Sequence, residues 1–148
     1  MRQQIIIPPG VKQEVIDKGK QVGGPEAGLI EQAMSEGWIS QVNLSDRERG
    51  VALQLRQGTR LAQGEVDSLA VARVRTLEVL LDDKEARAMA EALGLRYLGT
   101  IGLLFEAYVS GRREYKKLEE ALAKASRVLW LSADIVTELL IRAREVKE

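Results

Sequence analysis

The chain contains neither cysteine nor histidine. The first absence excludes disulfides and thiolate nucleophiles. The second excludes imidazole bases and the triads built on them, and together they exclude zinc centres of the Cys/His kind. An excess of one charge is also lacking. Lys and Arg total 22 and so do Asp and Glu, which leaves no global positive field to attract nucleic acid, so any such binding has to be local. Long apolar runs are missing too: stretches such as Ile5 to Pro9 and Leu77 to Leu81 fall far below the roughly 20 residues that span a bilayer. The N-terminus has neither the extended apolar core nor the small-residue cleavage site of a secretory signal, which predicts a cytoplasmic chain with no membrane partner. What remains is oxygen chemistry. A length of 148 residues with 45% apolar and 30% charged residues suits one globular domain over residues 1–148.

Gln4 to Ile7, rich in β-branched side chains and stopped by Pro8-Pro9, reads as a short buried strand. A helix follows, with Val11, Val15 and Ile16 at helical spacing and with Gly19 and Gly23-Gly24-Pro25 as stop and loop. A second helix runs from about Glu26 to Glu36 and ends at Gly37, and Trp38 to Leu44 alternates like a strand with one covered face. Ser45 or Asp46 caps a helix reaching Arg56, and Gln57-Gly58-Thr59 breaks it before a helix that opens near Gly64-Glu65. Leu77 to Leu81 reads as a strand buried on both faces, feeding a helix from Lys84 to Leu93 that Gly94 terminates. Leu95 to Leu98 is a strand, and Gly99-Thr100 opens a helix to about Ser110-Gly111. Two amphipathic helices, Glu114 to Leu129 and Ser132 to Val146, complete the chain. This alternation predicts an α/β fold with a parallel sheet covered on both faces.

In open parallel sheets ligands bind beyond the carboxyl ends of the strands, and both Asp82-Asp83 and Gly99-Thr100 follow predicted strands. A purely structural reading makes Asp83 the cap of the helix at Lys84 and Thr100 the cap of the helix at Ile101. It leaves Asp82 without a task, beside a like charge that a cation would relieve. Glu65 falls in a first helical turn above Ser68 and Leu69, where an acid is favoured by the helix dipole or serves as a ligand. Asp67 lies on another face and is the weaker candidate. Carboxylates converging without His or Cys suit Mg²⁺ or Mn²⁺, hard ions that keep waters for a substrate phosphate to replace, and imply phosphodiester hydrolysis. Arg87, four residues after Asp83, is placed to pair with it or to contact phosphate. The densest basic run is Arg112-Arg113-Glu114-Tyr115-Lys116-Lys117. It reads either as a solvated helix start or as a phosphate rail with Tyr115 free to stack on a base. Phe105, Tyr108 and Val109 form a stripe suited to core or dimer contact.

Taken in order, these residues resemble a known family: Gly64-Glu65 heading a helix, Leu80-Leu81-Asp82-Asp83-Lys84-Glu85-Ala86-Arg87, then Gly94-Leu95 and Gly99-Thr100-Ile101-Gly102-Leu103-Leu104. The family is the prokaryotic PIN-like group related to the VapC-type toxin ribonucleases. The likeness runs from the Ile5 to Val11 strand and turn to the C-terminal helix, and it is most specific between Asp82 and Leu104. It implies a three-layer α/β/α domain with a small central parallel sheet and extra C-terminal helices, whose acids bind Mg²⁺ or Mn²⁺ and cut RNA. On this resemblance Glu65 and Asp82 are the metal ligands, Asp83 is a further catalytic acid, and Thr100 falls at the last, least constant polar position of the site. Arg87 matches an arginine typical of the subgroup and, with Thr100, Arg112 and Arg113, makes up the expected substrate-binding set. A homodimer is implied as well, and a cognate antitoxin protein if the chain is a toxin.

The resemblance has one departure. Family members usually open with a strand and helix that bring an aspartate to the site, whereas this chain starts at the counterpart of the second strand. An upstream start, a rearranged sheet or pairing with another subunit would each make up for that loss. The expected function is a metal-dependent endoribonuclease, and its rival is an inactive PIN-fold protein that dimerises or binds a partner. A small-molecule phosphatase is disfavoured because the sequence has no Gly-rich phosphate loop and no nucleophile elbow.

Overall fold

A computed structural model describes residues 4–129 and 131–146. The chain divides into two compact units, one of Met1–Val79 with Asp83–Tyr97 and one of Leu80–Asp82 with Leu98–Glu148.

In the first unit, β1 (Ile5–Ile7) stops at Pro8, and Pro9 takes the first position of α1 (Pro9–Lys12), where a missing N–H costs nothing. β1 pairs in parallel with β2 (Ile39–Gln41), Ile5 opposite Ile39 and Ile7 opposite Gln41. α1 passes through a π-helical stretch, Gln13–Asp17, into α2 (Lys18–Gln21). The expected stop at Gly19 is therefore not used; the turn comes at Gly23, which adopts φ +71°. α3 (Pro25–Ser35) ends before Gly37, which has φ +84°. Ser45 caps α4 (Asp46–Arg56) through a reciprocal box: Glu48 N–H donates to Ser45 Oγ at 3.1 Å and Ser45 N–H donates to Glu48 Oε2 at 2.7 Å. α5 (Gln63–Arg75) carries the core of this unit, with Val66, Leu69, Ala70, Val71 and Ala72 buried. α6 (Lys84–Ala92) opens on the Asp83 cap, and Gly94 follows its end at φ +68°.

β3 (Val79–Leu80) pairs with β4 (Tyr97–Leu98). Val79 N–H donates to Arg96 O and Leu81 N–H to Leu98 O, each at 3.0 Å, so the bonds advance together along both strands, as parallel pairing requires. The expected α/β class and parallel pairing are observed, although among the described residues the strands form two two-stranded sheets rather than one. The expected burial of Leu77 to Leu81 on both faces is not observed. Val79 and Leu81 are buried, while Leu77 and Leu80 are 39% and 44% exposed. Side chains alternate across a strand, so Leu80 takes the face opposite Val79 and Leu81, while Leu77 lies before the strand begins.

The second unit holds α7 (Thr100–Val109), α8 (Tyr115–Val128) and α9 (Ala133–Glu145), the last capped by Ser132. Its core is Tyr108, Leu118, Leu122 and Ala143, with Phe105 and Tyr115 packed against it. The Tyr108 hydroxyl donates to Ala143 O at 2.8 Å, so the buried phenol is satisfied. Phe105 and Tyr108 are thus core, and Val109 of the same stripe is half exposed. Among the described residues no helix is long and apolar enough to cross a membrane.

Candidate functional site

In the first unit Glu65 feels the charges of three further acids, Glu14, Asp83 and Glu85. Ala62, before α5, has no side chain that can cap the helix, so Glu65 turns back and its Oε2 accepts Ala62 N–H at 3.1 Å. Glu14, from the π-helical stretch, accepts Gly64 N–H through Oε1 at 3.0 Å. Asp83 accepts Ala86 N–H through Oδ2 at 2.8 Å and so fills the expected capping role. Glu85 accepts the Thr59 hydroxyl through Oε1 at 3.0 Å. Burial pushes the Glu65 carboxyl above its ordinary range; the Ala62 hydrogen bond opposes this, and the charges of Asp83, Glu14 and Glu85 add to the rise.

Asp82 belongs to the second unit and has a partner of its own. Thr100 N–H donates to its Oδ1 at 2.8 Å and the Thr100 hydroxyl donates to its Oδ2. Thr100 is therefore not the cap of α7, as expected, but its first residue; the N-cap is Gly99, which has no side chain to offer. Asp82 supplies the missing acceptor from a distance in sequence, so it has a structural task that spacing alone did not reveal.

Arg87 also departs from expectation. Among the described residues no ion pair joins it to Asp83, whose carboxylate turns to Ala86 N–H; its charge is felt by Tyr97, the phenol that donates to Glu91. Arg112 is exposed and Arg113 donates to Lys117 O at 3.4 Å, both in the turn before α8. Tyr115 is not free to stack on a base: Arg144 lies over its ring at 5.2 Å and Tyr108 meets it edge-on at 6.2 Å. Asp67, the weaker candidate, is 4% exposed and accepts from Gln63 Nε2 at 2.6 Å.

The donor set fits a hard cation by chemistry. Every candidate is a carboxylate, and the hydrogen bonds above engage one oxygen each of Glu14, Glu65, Asp83 and Glu85. Among the described residues, however, no group of three or more acids is placed to hold a metal ion. Glu14 was not expected in this group. Its signal was available: it follows Val11 by three residues, which puts an acid on the face of a helix that otherwise turns valine inward.

No curated protein matches the chain. A family model described as a PIN domain matches residues 1–145, nearly the whole length, and covers β1 through α9 with the acids placed above; the chain belongs to the PIN domain family.

Proposed function

We propose that the chain is a divalent-metal-dependent ribonuclease, read as one PIN-like domain over residues 1–148, with Glu65 and the added Glu14 as cation-holding acids and Asp83 as a further catalytic acid. The observation that carries the reading is the match of residues 1–145 to a PIN domain model, together with Glu65 and Glu14 held by adjacent backbone N–H groups at the start of α5. Like charges held together are unfavourable until a cation offsets them. Bound Mg²⁺ or Mn²⁺ would supply a water acidic enough to attack a phosphodiester and would stabilise charge on the leaving oxygen.

The chain's own groups do the orienting. Ala62 N–H and Gly64 N–H hold Glu65 and Glu14, and Ala86 N–H holds Asp83. Asp82 is proposed to act in the same reaction from its place beside Thr100, because an ionised carboxylate oxygen keeps acceptor capacity after one hydrogen bond. Thr100, Arg87, Arg112 and Arg113 are proposed to bind the substrate, the arginines as phosphate contacts. RNA is the proposed substrate in a cytoplasmic setting, the proposed assembly is a homodimer, and an antitoxin is the proposed partner if the nuclease is a toxin.

The test is cleavage of labelled single-stranded RNA with Mn²⁺, repeated with chelator and with Glu65→Gln. Cleavage that disappears in both controls is the expected result; no cleavage, together with no Mn²⁺ binding at saturating metal, removes the proposal. A second reading, an inactive PIN-fold protein that dimerises or binds a partner, is favoured by the lack, among the described residues, of a group of three or more acids placed to hold a metal ion. Cleavage by the wild type that Asp82→Asn abolishes would eliminate it.

A further inference from the structure

We propose that Gly10, Gly64 and Asp67 form a positioning element that sets Glu14 against the start of α5, beside Glu65. The inference rests on the cation-binding reading above and adds to it the residues that hold the acids in place. Both glycines lie in helices, where glycine is a poor helix former, and neither has the left-handed backbone that would explain it. Space explains them. A Cβ on Gly10 would fall 2.7 Å from Asp67 Oδ2 and 3.0 Å from the Gly64 backbone nitrogen. A Cβ on Gly64 would fall 2.9 Å from Glu14 Oε2 and 3.1 Å from Val11 Cγ2. At Gly10 the two segments meet at backbone distance, and a side chain there would force them apart; at Gly64 the neighbours are the Glu14 and Val11 side chains, so a methyl group would displace the Glu14 carboxylate rather than the segment.

Asp67 sets how close they come. Its carboxylate is buried, is held through Oδ1 by Gln63 one turn earlier, and turns Oδ2 to the space a Gly10 side chain would need. At this separation Glu14 reaches Gly64 N–H at 3.0 Å, one residue before Glu65. Glu14 is the second residue of the π-helical stretch that begins at Gln13, a local departure from α-helical register. Asp67, Gly10 and Gly64 are positioning residues; Glu14 is the group they aim.

The primary test is Gly64→Ala. Alanine is the better helix former, so the melting temperature should not fall, while Mn²⁺ affinity measured by calorimetry should drop about 10-fold or more, as when outer contacts of a metal ligand are lost. Asp67→Ala should lose affinity comparably, and Asp67→Asn, which keeps the shape, should recover most of it. A metal-free readout separates this inference from the functional reading. In NMR spectra the Gly64 amide proton of the apoprotein should lie downfield and move upfield in Glu14→Ala. If the wild type takes up no Mn²⁺ but the amide responds to Glu14→Ala and to Asp67→Ala, the metal reading fails and the positioning geometry stands. A Gly64 amide indifferent to Glu14→Ala, or a Gly64→Ala protein with wild-type Mn²⁺ affinity, overturns the inference.

Discussion

Arg75 grips Glu48 at two points: Nε donates to Oε1 at 2.6 Å and Nη2 donates to Oε2 at 3.2 Å, around a carboxylate that is 1% exposed. Glu48 stands in the first turn of α4 and Arg75 is the last residue of α5, so the pair fastens the start of one helix to the end of the other. The same guanidinium donates to Asn43 O at 3.3 Å, and Glu48 also accepts Ser45 N–H, which brings the loop before α4 into the network. A buried charge is tolerated because each of its oxygens has a donor.

Removing the guanidinium strands that charge. Arg75→Ala should cost about 3 kcal/mol, the low end for breaking a buried pair because a third of the Arg75 side chain meets solvent. The Arg75 hydrogen bond, opposed by burial, holds the Glu48 carboxyl below its ordinary 4.5. A depressed folded value means that the pair's stabilisation is complete above the unfolded pKa and is lost as pH falls through the folded one. Denaturant melts of wild type and Arg75→Ala should therefore converge as pH falls below the ordinary carboxylate range. A gap that stays constant through that range would refute the assignment.

Glu65 should behave in the opposite sense. Its folded carboxyl is raised, first by burial, so its contribution to stability is complete below the unfolded pKa and declines as pH rises through the folded one. Glu65→Gln removes a charge that three acids repel, and near neutral pH it should stabilise the chain by on the order of 0.5 kcal/mol. The same change should abolish the response to metal. Mn²⁺ at about 100 times its dissociation constant should stabilise the wild type by about 2.7 kcal/mol and leave Glu65→Gln unmoved. Equal shifts in both proteins, read by thermal melting, would place the ion elsewhere.

Asp82 separates structural from chemical work in one side chain. As the acceptor for Thr100 N–H it should hold the first turn of α7, so Asp82→Ala should cost about 1 kcal/mol and speed hydrogen exchange in that turn. Asp82→Asn keeps a carbonyl acceptor and should lose only a few tenths, yet under the nuclease reading it should still suppress cleavage. If Asp82→Asn folds and cuts RNA at the wild-type rate, Asp82 is a helix cap and nothing more.

What the sequence disclosed and what it hid follow from the range of the interactions involved. Ser45, Asp83 and Ser132 were readable as caps because their acceptors reach a backbone N–H only three residues on. Gly37 and Gly94 were readable as stops for the same local reason. The exposure of Leu77 and Leu80 was not readable, since burial depends on what covers a segment and not on its own apolar run. Asp82 with Thr100 and Glu14 with Gly64 are 18 and 50 residues apart, and no periodic pattern announces such contacts. The candidate acids Glu65, Asp82 and Asp83 were visible as a motif, whereas the groups that hold them emerged only from the fold.

The arginines of the turn before α8 give the last prediction, on binding rather than cleavage. With net charge zero over the chain, affinity for RNA has to come from a local patch, and Arg112 and Arg113 are exposed or half-buried without a carboxylate partner among the described residues. Each phosphate contact on a single strand releases counterions and contributes about 0.7 to the slope of log affinity against log salt. Replacing both arginines by alanine should therefore weaken binding across RNA sequences alike and flatten that slope by about 1.4. Fluorescence anisotropy in the presence of chelator, at several salt concentrations, measures this without cleavage. An unchanged slope would show that phosphate is gripped elsewhere, and Arg87 would then be the next arginine to replace.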